Sequence, residues 1–419
     1  MRALLFLVLA SCTHDIVLVD RIDDVRTARD LDILYVFDNS SNRASYDLMA
    51  SQLDVLQARL GDVDDQLPNL HVGVVTADLG TRGTQDAAPA PAVGNCFNEG
   101  NAGKLVKFRA GLDDRFLEDL RGPDGTRIRN FNSDDLLGEL ALLTNPALGA
   151  AGTGCEFAQP LEAMRRALDP GTNPGFIRPD AMLSIVFLTN EDDCSLARAA
   201  MLDPEDGSLG ALAFRCTEQG VICDPDDPRN PGVRKNCRPR EDSQFMVDVS
   251  EYRTFLEQYK PDSRDVIVSA VAGARTPFTV VDFGNPVLAP SCQGATGFAK
   301  PAVRIGSLVD SFGGVIVDSC TQEAAYQQLT APILTQQRSC FPNLRSADGE
   351  DCRVLEVAGD VETELARCVD VDGTPSPCWY TYADATACPG GDNLGIAIHR
   401  GTTTAPASSR IEATCFLTQ

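Results

Sequence analysis

Histidine is scarce in this sequence of 419 residues, which contains only His14, His71 and His399. They are far apart, and none forms the His-Glu-x-x-His pair of zinc proteases, so the sequence argues against that class of enzyme. Basic residues are also few, with 36 Lys and Arg against 60 Asp and Glu and a net charge of −24. Because nucleic-acid-binding proteins present cations to phosphates, we expect no nucleic-acid partner.

Motifs of nucleophilic and phosphate chemistry are missing as well. The sequence contains no Gly-x-Ser-x-Gly elbow and no glycine-rich phosphate-binding pattern. We therefore predict that the protein is not an enzyme. The enzymatic alternative is a metal-dependent hydrolase that uses the acidic cluster Glu191-Asp192-Asp193, since paired carboxylates can perform acid–base catalysis.

Cysteine, in contrast, is abundant, and 15 cysteines indicate an oxidising compartment. No two of them form a Cys-x-x-Cys pair, which argues against zinc knuckles. Cys12 belongs to the N-terminal segment discussed next, and the fourteen that remain are an even number. These disulfide candidates, whose pairing the sequence leaves open, are Cys96, Cys155, Cys194, Cys216, Cys223, Cys237, Cys292, Cys320, Cys340, Cys352, Cys368, Cys378, Cys388 and Cys415.

The first residues have the layout of a secretory signal peptide, with Arg2 before a short apolar run. This segment, residues 1–11, ends in Leu-Ala-Ser before Cys12 and resembles the bacterial lipobox, in which the cysteine is acylated. The resemblance implies a lipid anchor on Cys12 in the bacterial cell envelope. Two or more acyl chains hold a protein stably at a membrane. By the same resemblance, Thr13 in place of Asp favours the outer membrane.

Short apolar runs, typical of strands buried on both faces, alternate with segments of helical spacing. This alternation predicts βα units and an α/β fold with a mostly parallel sheet. Strands are predicted at 31–38, 70–76, 182–189, 266–272 and 314–318, and helices at 44–60, 134–143, 156–168, 243–259, 301–312 and 322–337.

The composition divides the chain into further parts after the signal peptide. Residues 12–30 read as a charged tether, and residues 31–337 as the α/β domain. That domain carries a cysteine-rich insertion at about 194–240. Residues 338–419 place six cysteines among short alternating stretches, which predicts a small disulfide-rich β module, because its own apolar core would be thin.

Oxygen-bearing side chains follow the first predicted strand, in the segment Asp38-Asn39-Ser40-Ser41-Asn42. Ligands of open α/β sheets bind at the carboxyl ends of the strands. Asp38 offers a charged oxygen there, and Ser40 and Asn42 offer neutral ones. Hard divalent cations such as Mg²⁺ prefer these ligands.

The strand and this segment resemble the von Willebrand factor A (vWA) domain and its metal-ion-dependent adhesion site, over roughly residues 31–335. That motif is Asp-x-Ser-x-Ser, a Thr in a later loop and an Asp after another strand. Asp38 and Ser40 match it, and Asn42 replaces the second Ser. Thr153 matches the Thr, and Asn190 occupies the position of the Asp.

The substitution at Asn190 removes a charge, and Glu191 and Asp192, which follow it directly, are the alternative ligands. The resemblance is to vWA-like lipoproteins of delta-proteobacterial and myxobacterial type. It implies a Rossmann-like, doubly wound sheet with helices on both faces.

In this family the open position of the metal accepts a carboxylate from a partner protein. We therefore expect a lipid-anchored binding or adhesion protein that uses Mg²⁺ or another divalent cation to hold an acidic side chain of its protein ligand. The alternative is a structural envelope lipoprotein whose site is degenerate and metal-free.

Overall fold

The computed structural model describes residues 18–22, 30–40, 68–107, 115–122, 126–131, 136, 138–139, 154–179, 181–260, 265–294, 297–320, 326–337, 339–341, 344, 349–369, 376–383, 394–400, 403 and 410–417. The predicted signal peptide, Cys12, Asn42, the helix expected at 44–60, Thr153 and Cys388 lie outside these residues.

The chain forms two compact units, one of Ala28–Gln337 and one of Met1–Thr27 with Arg338–Gln419. The strands are β1 (Leu18–Ile22), β2 (Leu31–Phe37), β3 (Leu70–Thr76), β4 (Phe116–Arg121), β5 (Arg127–Arg129), β6 (Met182–Leu188), β7 (Val221–Asp224), β8 (Gly232–Pro239), β9 (Val266–Ala272), β10 (Phe278–Asp282), β11 (Pro286–Leu288), β12 (Cys292–Gly294), β13 (Gly297–Ala299), β14 (Ile316–Asp318), β15 (Ser339–Phe341), β16 (Cys352–Ala358), β17 (Val361–Glu364), β18 (Ala366–Arg367), β19 (Cys378–Ala383), β20 (Leu394–His399) and β21 (Arg410–Leu417).

Helices are fewer than strands within the described ranges. None of them combines the length and the apolar character needed to span a membrane. The α-helices are α1 (Pro160–Ala167), α2 (Arg215–Gly220), α3 (Val249–Tyr259), α4 (Val303–Asp310) and α5 (Tyr326–Gln337), and short 3₁₀ helices lie at Ala199–Leu202, Gly207–Leu209 and Leu212–Phe214.

The larger unit is built on a seven-stranded sheet of order β14-β9-β6-β2-β3-β4-β5. The first five strands of this order run parallel, and β4 and β5 continue the sheet as antiparallel strands. The predicted α/β class with a mostly parallel sheet is therefore confirmed. Every residue of β2, β3, β6 and β9 is buried, which explains why these strands are almost continuously apolar.

One face of this sheet packs against α1, α3 and α4. The strand side chains on that face follow the two-residue period of β-structure, since Leu34 and Val36 of β2 both belong to the core beside the helices. Leu34 lies opposite Ile185, which lies opposite Val268. They belong to one apolar core with helical side chains, among them Leu161, Met164, Tyr252, Leu256, Ile305 and Leu308.

The cysteine-rich insertion supplies β7 and β8 to a second, smaller sheet within the larger unit, and β10 and β11 from beyond the insertion complete it, in the order β11-β10-β8-β7 and antiparallel throughout. Its inner side chains pack with Phe214 and Val303 in a separate apolar cluster. The strands β12 and β13 follow β11 in the chain and form a hairpin. Among the described strands, they pair only with each other.

Disulfide bonding is confirmed for twelve of the fourteen candidate cysteines, and each bridge lies within one unit. The larger unit contains Cys96–Cys155, Cys194–Cys216, Cys223–Cys237 and Cys292–Cys320, and the smaller unit contains Cys352–Cys415 and Cys368–Cys378.

The smaller unit consists of two four-stranded sheets, β1-β21-β16-β17 and β15-β20-β19-β18. Trp379 belongs to the apolar core of this unit, and its Nε1 donates a hydrogen bond to the Leu365 carbonyl at 3.1 Å. Part of the tether expected at residues 12–30 forms a strand, because Leu18–Ile22 pairs antiparallel with β21. The apolar residues of this stretch suit a strand, and β21 offers it an edge with backbone groups to pair.

Candidate functional site

Asp38 and Thr189 lie side by side at one edge of the main sheet. They follow directly after β2 and β6, which are parallel neighbours with Phe37 opposite Leu188. The backbone N–H of Asp38 donates to the Leu188 carbonyl at 2.9 Å, so the pairing continues one step beyond the strands. Both loops therefore leave the sheet at its carboxyl edge, where α/β folds bind ligands.

The Asp38 carboxylate joins these two loops through hydroxyl groups. Its Oδ1 accepts hydrogen bonds from Ser40 Oγ at 2.6 Å and from Ser40 N at 3.0 Å. Its Oδ2 accepts from Thr189 Oγ1 at 2.9 Å, and that hydroxyl in turn accepts from Glu191 N at 3.0 Å. Asp38 is only 3% exposed. Its buried carboxylate therefore lies between the hydroxyl of Ser40, which follows β2, and the hydroxyl of Thr189, which follows β6.

A third loop reaches the same segment next to Asp38. Gly154 donates its backbone N–H to the Asn39 carbonyl at 3.3 Å. A Cβ atom on Gly154 would overlap the side-chain amide of Asn39, which is itself buried, so a larger residue at position 154 would force that amide to move. Thr153, the residue expected to reach the site from this loop, and Asn42 lie outside the described residues.

Asn190 and Glu191 follow Thr189 directly, and both contact Lys300. The Lys300 ammonium lies 2.7 Å from Glu191 Oε1, and the Lys300 backbone N–H donates to the Asn190 carbonyl at 2.9 Å. The Glu191 carboxylate is therefore engaged in a partly exposed ion pair. Glu191 had been expected as an alternative ligand beside Asp38.

Asp192, the other expected alternative, caps a helix. Its carboxylate oxygens accept hydrogen bonds from the backbone N–H groups of Val303, Arg304 and Ile305, at distances of 2.9 to 3.2 Å. These are the first three residues of α4, whose amides have no partner within the helix. The contacts assign Asp192 to the N-terminus of α4. Burial nevertheless raises the pKa of Asp192 to about 6, against the opposing effect of the amides and of Arg304.

Asp193 has a similar role at a different helix. Its Oδ1 accepts from the Leu161 backbone N–H at 3.0 Å, at the start of α1, and from Ser195 Oγ at 2.6 Å. Its Oδ2 lies 3.1 Å from Arg304 Nε. The cluster Glu191-Asp192-Asp193 therefore organises α1, α4 and Lys300 around the site loop, which gives no support to a role of these carboxylates in acid–base catalysis.

A cleft of about 340 Å³ opens at this edge of the sheet. Its lining combines polar groups of the loops next to Asp38, such as Ser40 and Asn190, with apolar side chains that include Val221, Phe278 and Leu288. Its lining consists of Ser40, Glu156, Phe157, Ala158, Asn190, Glu191, Asp192, Asp193, Cys194, Ala213, Cys216, Thr217, Val221, Phe278, Leu288, Phe298, Lys300 and Pro301.

The residues around Asp38 fit a divalent cation in the chemistry of their donors. Asp38, Ser40 and Thr189 supply one charged and two neutral oxygens, which Mg²⁺ accepts while it keeps several waters. Among the residues that the structure describes, no Lys, Arg or His side chain lies within ion-pair distance of the Asp38 carboxylate.

A second group of potential metal ligands consists of Cys292, Asp318 and Cys320, whose ligand atoms lie within 4.8 Å of one another. The two cysteines are joined in a disulfide, so neither offers a thiolate, which is the sulfur form that binds metals. The group is left with one carboxylate, and Asp318 Oδ1 already accepts from Cys320 N at 2.9 Å.

Two residues of the site, Thr189 and Lys300, were not predicted as site residues from the sequence. Thr189 follows a buried strand and precedes Asn190, so a hydroxyl at the edge of the sheet could have been expected there. Lys300 gives no such signal, because 109 residues separate it from Glu191.

No protein-family model matches the sequence, and no curated protein matches it. Solved structures give weak similarities. One is a von Willebrand factor type A protein from Catenulispora acidiphila, at 11% identity and a TM-score of 0.28, with 98% of this chain and 67% of that chain covered. Another is the pilus adhesin RrgA from Streptococcus pneumoniae, at 10% identity and a TM-score of 0.28, with 95% and 58% covered.

The proximal thread matrix protein 1 of the mussel byssus is similar at 10% identity and a TM-score of 0.25. The match covers 61% of this chain, which spans about 40% of the byssus protein. Structural neighbours of the chain thus include a vWA protein and pilus adhesins. At such TM-scores we base no conclusion on them.

Proposed function

We propose that the larger unit is a vWA-like, doubly wound domain that binds a carboxylate of a partner protein through a divalent cation. The observation that carries the proposal is the buried Asp38 carboxylate, hydrogen-bonded by Thr189 and by Ser40, which lines the neighbouring cleft. Asp38, Ser40 and Thr189 would hold the cation, together with Asn42, Thr153 and Asn190 from the sequence motif. The bound cation would supply a positive charge and an open coordination position for the partner's oxygen.

The charge of the cleft explains why such binding would depend on the cation. Glu156 and Glu191 line the cleft, and its one described basic side chain, Lys300, is paired with Glu191. A carboxylate that approached the buried Asp38 without a cation would meet like charge and lose its hydration. A divalent cation reverses the sign of the local field, so an acidic partner is attracted only when the cation is bound.

We place this domain at the bacterial cell envelope, anchored by lipid on Cys12 and facing the space beyond the inner membrane, with the outer membrane as its site. The support for this location is the lipobox-like sequence before Cys12. The disulfides are consistent with it, because they persist only in an oxidising compartment. In this setting a non-enzymatic adhesion role follows for the protein.

A structural envelope protein with a metal-free site is the second candidate. Two observations favour it. Asn190 replaces the second acidic ligand of the motif, which weakens attraction for a cation. The Asp38 oxygens are also satisfied by Ser40 and Thr189 without any metal, so the loops need no cation to hold their shape.

Calorimetric titration of the full chain with Mg²⁺ separates the two candidates. Asp38→Ala should abolish the binding heat without unfolding the domain, because it removes the charged ligand. Asp206→Ala is the matched control, since Asp206 Oδ1 accepts from Ser208 N and Oγ in the same local pattern, but Asp206 precedes a 3₁₀ helix and does not line the cleft. Identical titrations of the Asp38→Ala variant and the unmodified protein would favour the structural alternative.

Adhesion itself is tested by capturing envelope proteins on the immobilised chain with Mg²⁺ and with EDTA. Partners that bind through the cation should be retained in Mg²⁺ and released by EDTA, and the Asp38→Ala variant should retain none of them. Partners retained equally in both conditions would contradict the proposed mode of binding.

A further inference from the structure

The apolar end of the cleft defines a second contact for the partner. We propose that the cleft selects a segment in which a large apolar side chain, aromatic or aliphatic, neighbours the acidic residue. The acidic side chain would lie at the Ser40 end, and the apolar side chain would enter a pocket formed by Val221, Phe278, Leu288 and Phe298. This inference rests on the proposed function, since it concerns the same cleft.

The pocket is made of side chains from four separate strands. Val221 comes from β7, Phe278 from β10 and Leu288 from β11, and all three are less than 10% exposed, at 6%, 3% and 6%. Phe298, on β13, differs because it is 49% exposed while it lines the same cleft. An aromatic ring exposed at the rim of a buried apolar floor can cover an incoming side chain, and such aromatic residues dominate binding energies.

Two disulfides fix segments that line the cleft. Cys194 and Cys216 line the cleft and are bonded to each other, so they join the loop after Asn190 to α2. Cys292–Cys320 fastens the hairpin that carries Phe298. A pocket whose walls are already fixed loses little conformational entropy when a ligand binds, so apolar contact is converted efficiently into affinity.

The size and charge of the cleft indicate its occupant. A volume of about 340 Å³ lies at the small end of ligand sites, which suits one or two side chains of an extended segment and excludes a whole helix. The Glu156 and Glu191 carboxylates repel an acidic side chain of the partner wherever no cation is bound. The partner's acid is therefore confined to the Asp38 end, and its apolar neighbour reaches the other.

The test uses synthetic extended peptides with one central Asp, flanked on either side by Phe, Leu or Ala in an otherwise Gly and Ser sequence. Dissociation constants are measured by NMR titration of the full chain in Mg²⁺ and in EDTA. We expect Phe and Leu peptides to bind roughly tenfold to a hundredfold more tightly than Ala peptides, as the burial of one large apolar side chain implies. Replacing Asp by Asn should abolish binding.

Variants of the pocket identify where the preference arises. Phe298→Ala should bring Phe peptides to the level of Ala peptides and leave Mg²⁺ binding unchanged. Ala213→Phe adds a large side chain to the lining of the cleft and should block the pocket with the same result. Phe283→Ala is the matched control, because Phe283 is 84% exposed on the β10–β11 connection and does not line the cleft.

The outcomes separate this inference from the proposed function. Asp peptides that bind in Mg²⁺ with no preference for their neighbour would overturn the inference and leave the proposed function standing. A Phe298→Ala variant that weakens Phe and Ala peptides equally would also overturn it. Apolar peptides that bind without Asp or Mg²⁺ would support the pocket and contradict the cation-dependent function, and a failure of all peptides to bind would count against both.

Discussion

Arg304 and Asp193 form an ion pair in the interior of the larger unit, with Arg304 Nε 3.1 Å from Asp193 Oδ2 and both side chains fully buried. The guanidinium also donates to the Val247 carbonyl at 2.6 Å. Asp193 meanwhile binds the first turn of α1 through Leu161 N. The pair therefore connects α1, α4 and the loop that follows β6, and that loop forms part of the cleft.

Loss of Arg304 should destabilise the larger unit strongly. Arg304→Leu leaves the Asp193 carboxylate buried without its charged partner, and we expect a loss of about 3–5 kcal/mol in the free energy of unfolding. Arg275→Ala serves as the control, because its pair with Asp310 is exposed and should contribute less than about 1 kcal/mol. Urea unfolding of both variants measures the difference. Similar small losses in the two would contradict a structural role for the buried pair.

The stability of the larger unit should depend on the protonation of Asp192. Burial raises the pKa of this carboxyl from 3.8 to about 6. A raised pKa means that the folded state favours the protonated form, so the stabilisation is complete below pH 3.8 and is lost as the pH rises through about 6. The loss amounts to roughly 3 kcal/mol for a shift of this size.

Asp192→Asn provides the comparison, since the amide does not titrate. The free energy of unfolding of the unmodified protein, minus that of the variant, should fall between about pH 4 and about pH 6 and then level off. Other carboxyl groups titrate in both proteins and largely cancel. A difference that grows with pH would show that the α4 amides, which bind the ionised form, outweigh the effect of burial.

Much of the main sheet was predictable because its strands are buried on both faces. In β2 and β9 every side chain must be apolar or internally satisfied, so the sequence marks them as continuous runs. β4 and β5 were not predicted. They stand at the edge of the sheet, and charged residues such as Glu118 and Arg127 alternate with apolar ones in strands too short for a clear period.

The candidate site was predictable only where its residues are local in sequence. Asp38 and Ser40 lie two residues apart and meet as the motif implies. The capping of α4 by Asp192 joins groups more than a hundred residues apart, and no spacing in the sequence reveals it. The sequence does not predict the apolar pocket either, because its residues come from several strands that are separated along the chain.

Gly154 should be required for the arrangement around Asp38. A methyl group in Gly154→Ala would collide with the buried Asn39 side chain, at 2.2 Å from its Oδ1, and would displace the segment that carries Asp38 and Ser40. We expect weaker Mg²⁺ binding, by roughly tenfold, because cation ligands tolerate little displacement. Gly207→Ala is the control, since its Cβ would meet no atom within 4 Å. Unchanged Mg²⁺ affinity in Gly154→Ala would show that this loop does not shape the site.

The two observed disulfides of the smaller unit should differ in their contribution to its stability. Cys352–Cys415 closes a separation of 63 residues and joins directly opposed positions of β16 and β21, whereas Cys368–Cys378 closes 10 residues. Because a longer closed loop restricts the unfolded chain more, replacing the first pair by Ala should cost about 4 kcal/mol and the second about 3 kcal/mol. Hydrogen exchange of the β16 and β21 amides measures this directly. The first double variant should lose protection in both strands, since the thin core of this unit has little stability to spare. Equal protection in the two double variants would mean that strand pairing alone holds these sheets together.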